Sequence, residues 1–249
     1  MSRPTIAILG AGSNIGTAVA SHFASLKFNV FAVSRTLHAS SEGIHRLQAD
    51  LIDPSQVTAI FDTIQTETGA GPHIVVYNAY GMTMNDPSAP GYPFNVPLDK
   101  FEHNYKANTL GAYVAMKEFT TLVPSLPAIT SNSHPITPTF FMVGNILPWS
   151  PLGMGTTLGT GKAATAHLIM LGEKFGKTGA RYYFGSEVLE DGAGVLVGPV
   201  NGKAHARFVE DLATKNIVKK EDWVENLRFF AKDGGEYEIY KGENYVWNF

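Results

Sequence analysis

The sequence predicts an α/β fold in which helices flank a doubly wound parallel sheet. Short apolar runs alternate along the chain with longer segments of helical period, which is the pattern of successive βαβ units. The apolar runs show little alternation with polar residues, as expected for strands that are covered on both faces. At 249 residues the chain can bury one large core, so we expect residues 1–249 to form a single domain.

Four nearly continuous apolar runs are the predicted central strands. In chain order they are Ile6–Leu9, Phe28–Val33, His73–Tyr77 and Thr139–Val143. Such runs have the length of strands rather than of helices.

Three helices are predicted between these strands. The first begins near Ser13 or Asn14, and the second follows Asp53-Pro54, where Asp can cap the helix and Pro suits its first turn. In the third, apolar residues recur every three to four positions. The predicted ranges are about 13–26, 54–66 and 98–121.

The remaining segments are loops and a C-terminal region. Residues 82–97 and 124–138 are rich in proline and are predicted to be ordered loops inside the domain. Two amphipathic segments follow at about 203–215 and 221–232. Residues 237–247 contain two aromatic runs that predict a final strand or hairpin.

The composition favours a small-molecule partner. With a net charge of −3 and a charged fraction of 16%, the chain has no excess of positive charge that would bind nucleic acid or an anionic membrane. No apolar run is long enough for a membrane span or a secretory signal, so we expect a cytoplasmic protein. Cysteine is absent and the eight histidines show no ligand spacing, so no metal site is expected.

A glycine-rich turn stands between the first predicted strand and the first predicted helix. Its sequence is Gly10-Ala-Gly-Ser13-Asn14-Ile15-Gly16. Without Cβ atoms the backbone can turn sharply and approach a pyrophosphate, and a helix N-terminus supplies free N–H groups and partial positive charge. In this position the turn predicts a Rossmann-type dinucleotide site that includes Gly10, Ser13, Asn14, Ile15 and Gly16.

These features make the chain similar to the short-chain dehydrogenase/reductase family along roughly its whole length. Gly10 and Gly16 match the ends of the family's Gly-x-x-x-Gly-x-Gly, and Asn14 replaces its middle glycine. That replacement is mild because Asn tolerates left-handed backbone angles.

Further motifs resemble the family's cofactor site. Asp50-Leu51 resembles the pair that contacts adenine in the family. Asn78-Ala79-Tyr80 resembles its Asn-Asn-Ala-Gly, with one residue inserted before the glycine. The resemblance implies that these five residues border the bound dinucleotide.

The residues after the second strand bear on which dinucleotide is bound. Ser34-Arg35 stands where family members that use NAD usually place an acidic residue for the ribose hydroxyls. An arginine there favours a 2′-phosphate, so the resemblance implies NADP(H) as the cofactor.

The chemical half of the site departs from the family pattern. Leu158 stands where the family has its proton-donating tyrosine, four residues before Lys162. Asn145, thirteen residues before Leu158, fills the place of the serine that orients the carbonyl. The resemblance implies that Lys162 binds the nicotinamide ribose, that Asn145 donates to a substrate oxygen, and that Asn108 holds a water in the proton relay.

Other groups near the family's active site could supply the missing proton. They are Tyr80, His103, Tyr105, Tyr113 and Trp149. The family's Pro-Gly after the strand over Arg181–Val188 has no clean counterpart, and Gly198-Pro199 is the nearest pair.

Three functions stay open at this point. The first is an atypical NADP(H)-dependent oxidoreductase that transfers a hydride to a small carbonyl or an activated C=C or C=N substrate. The second is a non-redox enzyme of the same fold, such as an isomerase, cyclase or lyase, and the third is a catalytically inactive dinucleotide-binding protein. The resemblance also implies a homodimer or homotetramer, substrate-side loops at about 82–97 and 145–157, and a C-terminal extension over 203–249.

Overall fold

A computed structural model describes residues 3–37, 42–195 and 200–247. Within these ranges eight strands form one sheet and two short strands form a separate hairpin. The sheet contains β1 (Thr5–Leu9), β2 (Asn29–Ser34), β3 (Ile44–Gln48), β4 (Ile74–Tyr77), β7 (Thr139–Val143), β8 (Arg181–Glu187), β9 (Leu227–Ala231) and β10 (Tyr237–Ile239). The hairpin consists of β5 (Thr130–Ser131) and β6 (His134–Pro135).

The sheet has the order β10-β9-β8-β7-β4-β1-β2-β3. Every neighbouring pair is parallel except β9 and β10, which are antiparallel. The chain moves outward from β1 to β3 and then crosses to β4 on the other side of β1. This reversal is the topological switch point of a doubly wound sheet.

Helices connect the strands of this sheet. They are α1 (Ile15–Ser25), α2 (Pro54–Thr68), α3 (Leu98–Tyr105), α4 (Gly111–Leu122), α5 (Thr156–Phe175) and α6 (Gly202–Thr214). The Asp53 side chain caps α2 by accepting a hydrogen bond from the backbone N–H of Ser55 at 2.9 Å. A π-helical segment (Lys106–Leu110) joins α3 to α4, so the predicted long helix is continuous but locally widened.

Two apolar layers cover the sheet, one on each face. Ile6 and Ile8 of β1 pack in the layer that contains α1 and α6, which also includes Phe208 of α6. Ala7 and Leu9, which alternate with them, pack in the layer that contains α2, α4 and α5. Burial on both faces explains why these strands are apolar throughout.

The predicted α/β fold, the four central strands and the three helices are confirmed. Four strands were not predicted: β3, β9, and the hairpin strands β5 and β6, which lie within the predicted loop over 124–138. The tail forms β10 as expected, but residues 245–247 form no strand, and the carbonyl of Val246 instead accepts a hydrogen bond from the N–H of Gly194 at 2.9 Å. None of the helices in the described part of the chain has the length and apolar content needed to cross a bilayer.

Candidate active site

A groove of two adjoining cavities runs across the carboxyl edge of the sheet. The first has a volume of about 610 Å³ and the second about 480 Å³. Asn78, Tyr80 and Met82, which follow β4, line both cavities. The groove therefore lies at the switch point between β1 and β4, where doubly wound sheets bind their ligands.

The glycine-rich turn borders this groove and is held in place by close backbone packing. Gly10 has a φ of +95°, and a Cβ there would lie 2.4 Å from the backbone nitrogen of Ala79. A Cβ on Gly16 would lie 2.4 Å from the Cα of Ala11. A Cβ on Gly12 would meet nothing within 4 Å, and this residue lines the first cavity. The turn thus leaves an open cradle beside the N-terminus of α1.

The first cavity brings together the residues predicted for the adenosine end. Its walls include Gly10, Ser34, Arg35, Asp50, Leu51, Asn78, Ala79 and Tyr80. Arg35 is exposed and makes no salt bridge with any residue that the structure describes. Its guanidinium is therefore available to an anionic ligand.

Three other residues predicted for the dinucleotide site do not line the first cavity. Ile15 lines the second cavity. Ser13 and Asn14 line a different depression, together with residues of α6. Asn14 donates from Nδ2 to the carbonyl of Val200 at 2.7 Å, so its side chain ties the turn to the segment that precedes α6.

The second cavity contains Leu158 and Lys162, one helical turn apart on α5. Lys162 is 5% exposed, and its Nζ donates to the carbonyl of Val143 at 2.5 Å. Burial lowers the pKa of Lys162 to about 8 because the charged ammonium loses water. Leu158 offers no hydrogen-bonding group to the cavity.

Asn145 lines the same cavity after the end of β7. Its Oδ1 accepts a hydrogen bond from the backbone N–H of Leu147 at 3.0 Å. This contact fixes the amide orientation, and the described residues offer no acceptor to Nδ2. Asn145 can therefore donate to a ligand oxygen.

Asn108 lies in the π-helical segment and borders neither cavity. Its Nδ2 donates to the carbonyl of Gly81 at 2.8 Å, and its Oδ1 accepts from the Gly81 N–H at 2.9 Å. A Cβ on Gly161 of α5 would lie 2.4 Å from the Asn108 Cβ. Asn108 thus joins the loop after β4 to the helix that carries Leu158 and Lys162.

No family model matches the chain. Among known proteins it is similar to the short chain dehydrogenase/reductase dmxR12 of Cryptosporiopsis sp. (strain 8999), with 32% identity over 224 residues that span 86% of this chain and 87% of that protein. The chain belongs to the short-chain dehydrogenase/reductase family. The chain is therefore a member of an oxidoreductase family, as the resemblance of its motifs implied.

Solved structures of this family share the fold. The ligand-free aldohexose dehydrogenase of Thermoplasma acidophilum superposes with a TM-score of 0.71 at 16% identity, covering 94% of each chain. A metagenomic short-chain oxidoreductase in complex with NADP gives a TM-score of 0.71 at 14% identity, covering 92% of this chain and 97% of the other. The sheet and its flanking helices are thus those of a Rossmann-type short-chain dehydrogenase/reductase.

The groove of this short-chain dehydrogenase/reductase fits a nicotinamide dinucleotide. Gly12 lies beside a helix N-terminus with no described atom near its Cβ position, Arg35 stands at one end without an ion-pair partner among the described residues, and the buried Lys162 stands at the other. These are the groups that bind a pyrophosphate, a ribose phosphate and ribose hydroxyls, respectively.

Of the side chains that could replace the missing tyrosine, Tyr80 and His103 border the groove. Tyr105, Tyr113 and Trp149 are not part of its walls. Trp149 instead stacks on Tyr245 and makes an edge-to-face contact with Phe184. Gly198 and Pro199 lie outside the described residues.

Three of the polar and aromatic side chains that line the second cavity were not predicted from the sequence. They are Glu187, His205 and Trp247. Glu187 is the last residue of β8, and its place at the carboxyl end of a parallel strand was a usable signal. His205 and Trp247 carried no such local signal.

Proposed function

We propose that this short-chain dehydrogenase/reductase is an NADP(H)-dependent oxidoreductase that acts on a small carbonyl compound or an activated C=C or C=N bond. The observation that carries the proposal is one continuous groove, with Lys162 and Asn145 at one end and Arg35 at the other. Among the residues that the structure describes, Arg35 has no ion-pair partner. The fold relative that contains NADP supports the choice of dinucleotide.

The binding roles follow from the positions around the first cavity. The N–H groups around Gly10–Gly16 would hold the pyrophosphate, and Arg35 with Ser34 would hold the 2′-phosphate. Asp50 and Leu51 would border the adenine, and Asn78, Ala79 and Tyr80 would line the path to the second cavity.

The second cavity holds the groups for the substrate. When bound, the reduced nicotinamide supplies a hydride to an electron-poor carbon. The free Nδ2 of Asn145 would donate to the substrate oxygen, and Lys162 would donate to the ribose hydroxyls. Asn108 would serve the site through position, because its contacts with Gly81 and α5 set the distance between the two walls.

A second class of function rests on Leu158. This side chain lies in the cavity wall at 9% exposure and gives no proton. A non-redox enzyme that only orients its substrate, such as an isomerase, cyclase or lyase, would not need that proton. A catalytically inactive dinucleotide-binding protein would not need it either.

Titration with NADPH and with NADH tests the proposal. Calorimetry gives both affinities, and energy transfer from tryptophan reports on occupancy because Trp247 lines the second cavity. NADPH-selective binding followed by substrate-dependent NADPH oxidation is the expected result. Binding without oxidation of NADPH across a carbonyl, enone and imine panel would favour the non-redox or inactive alternative, and no binding of either dinucleotide would overturn the cofactor assignment.

The proposal extends to the assembly and location of the protein. Tyr113 of α4 and Leu171 and Phe175 of α5 are large apolar side chains that are exposed, with Phe175 at 72%. Such neighbouring apolar faces support a homodimer or homotetramer. Sedimentation at several concentrations checks this, and fractionation of cells checks the expected cytoplasmic location.

A further inference from the structure

A carboxylate and a histidine form a pair in the wall of the second cavity. Glu187 ends β8, and His205 lies in the first turn of α6. The His205 Nδ1 lies 3.3 Å from Glu187 Oε2 and 3.0 Å from the carbonyl oxygen of Asn201. Both residues line the cavity that Leu158, Lys162 and Asn145 also line.

The neighbours of Nδ1 determine where the ring carries its proton. A carboxylate oxygen and a backbone carbonyl oxygen can only accept hydrogen bonds. Nδ1 must therefore be the donor, which leaves Nε2 as the nitrogen that gains or releases the second proton. A carboxylate that orients a histidine through Nδ1 is the arrangement by which proteins build acid–base catalysts.

The ring is also held in place. His205 is 1% exposed, and its ring meets the edge of Phe229 at a centroid distance of 4.9 Å and an angle of 79°. Glu187 is fixed in turn because Oε2 accepts the backbone N–H of Asn201 at 2.7 Å. Within the described part of the chain, no hydrogen bond engages Nε2.

We propose that His205, positioned by Glu187, donates the proton that the tyrosine replaced by Leu158 would have given. This inference rests on the proposed reductase function. The Nε2–H bond breaks and an O–H, C–H or N–H bond forms on the substrate, whose double bond gives up its π electron pair to that proton. The second hydrogen comes from NADPH as a hydride, with its two electrons. The imidazolium, which carries a proton on both ring nitrogens, is left as the neutral imidazole.

The first test observes the ring directly and needs no substrate. Nitrogen NMR of histidine-labelled protein reports which ring nitrogen carries the proton in the neutral form, and His205→Asn assigns the signal. We expect the Nδ1–H tautomer for His205. The Nε2–H tautomer would overturn the proposal, because Nδ1 would then not be anchored by Glu187.

The second test measures turnover of benzaldehyde, acetophenone and cyclohexenone with NADPH. Asn places its amide nitrogen where the imidazole has Nδ1, so His205→Asn keeps a donor toward Glu187 and removes Nε2 together with the far side of the ring. We expect kcat to fall by about 10² to 10⁴-fold, the usual contribution of a general acid, with NADPH binding retained. Glu187→Gln should lower kcat and raise the fraction of His205 in the Nε2–H tautomer. Glu187→Asp should recover part of the lost kcat and part of the Nδ1–H tautomer.

His22 and Glu210 provide a matched control. They form a similar pair, with Nε2 to Oε2 at 2.7 Å, between α1 and α6 and outside the second cavity. His22→Asn and Glu210→Gln should leave kcat unchanged. An equal loss in both pairs would overturn the proposal in favour of a structural role for α6.

The outcomes separate this inference from the proposed function. An unchanged kcat in His205→Asn with wild-type turnover intact overturns the proton-donor role alone. Absence of NADPH oxidation by the wild type with every probe overturns the reductase function, and the inference falls with it.

Discussion

The Nζ of Lys162 donates a hydrogen bond to the carbonyl oxygen of Val143 at 2.5 Å. This contact joins α5 to the end of β7 at the floor of the second cavity. The lysine has no described carboxylate partner, and its only other polar contact in the described structure is the Met142 sulfur at 3.8 Å. A buried, unpaired ammonium of this kind destabilises the folded state.

Replacement of Lys162 by Met should therefore change how stability depends on pH. The pKa of Lys162 falls from 10.5 to about 8 in the folded protein, so the folded state binds fewer protons between these values than the unfolded state does. Below about pH 8 the buried charge destabilises the folded state by its full amount, and this destabilisation disappears as the pH rises to 10.5. Across this range the free energy of unfolding of the wild type should rise by about 3 kcal/mol relative to that of Lys162→Met.

Urea denaturation at a series of pH values measures this difference. Lys174→Met, which removes an exposed lysine near the end of the same helix, gives the background for loss of a positive charge. A constant difference between wild type and Lys162→Met would show that the ammonium is solvated rather than buried.

Arg35→Asp should exchange the dinucleotide preference. The variant loses the charge-assisted hydrogen bonds that Arg35 would make to a 2′-phosphate, each worth about 1.5–3 kcal/mol, so NADPH affinity should fall about 10- to 100-fold. NADH affinity should stay the same or rise, since a carboxylate accepts from ribose hydroxyls. Calorimetric titration measures the affinities of the variant for NADPH and NADH. Lys100→Asp, which makes the same change of charge elsewhere on the surface, is the control. Equal weakening of both would contradict the phosphate role.

The residues around the first cavity could be grouped from the sequence because their signals are local. The turn over Gly10–Gly16 combines backbone requirements within one short segment, and Arg35 directly follows a buried strand. The central strands were equally clear, since burial on both faces makes every residue apolar. By contrast, β3 lies at the edge of the sheet, with a mixture of apolar and exposed polar residues that carries no clear period.

The pair of Glu187 and His205 could not be predicted in the same way. The two residues lie on different elements, and only the packing of α6 beside the end of β8 brings them within 3.3 Å. Asn108 shows a related limit. The resemblance implied a role for Asn108 in the proton relay, but its reciprocal hydrogen bonds to Gly81 depend on the loop after β4.

Substitutions in the glycine-rich turn should separate binding from folding. Gly12→Ala adds a Cβ that meets no atom of the described residues within 4 Å, so thermal stability should be unchanged. The same Cβ enters the proposed pyrophosphate cradle, and NADPH affinity should fall about tenfold or more, or about 1.4 kcal/mol. Gly10→Ala is the contrasting variant, because its φ of +95° and its contact with Ala79 should cost about 1–3 kcal/mol of stability.

Thermal denaturation and NADPH titration of both glycine variants give the comparison. Retention of full NADPH affinity by Gly12→Ala would place the pyrophosphate elsewhere. A loss of stability in that variant would show that the added methyl group contacts the protein and does not only enter the cradle.

Leu158→Tyr should restore a proton donor of the usual family kind. Leu158 and Lys162 are four residues apart and share one face of α5, so a tyrosine hydroxyl would enter the second cavity near the ammonium, which lowers the pKa of a phenol. We expect faster reduction of ketones, by up to about 10²-fold, the lower end of the range for a general acid. Leu158→Phe, which adds the ring without the hydroxyl, is the matched control.

The tyrosine should also compensate for loss of His205. In His205→Asn the proposed proton donor is absent, and adding Leu158→Tyr should recover turnover that Leu158→Phe does not recover. Stopped-flow measurement of NADPH oxidation by the two double variants makes the comparison. Equal rates in both, with NADPH binding preserved, would show that proton donation does not limit the reaction and that the cavity is built for a different chemical step.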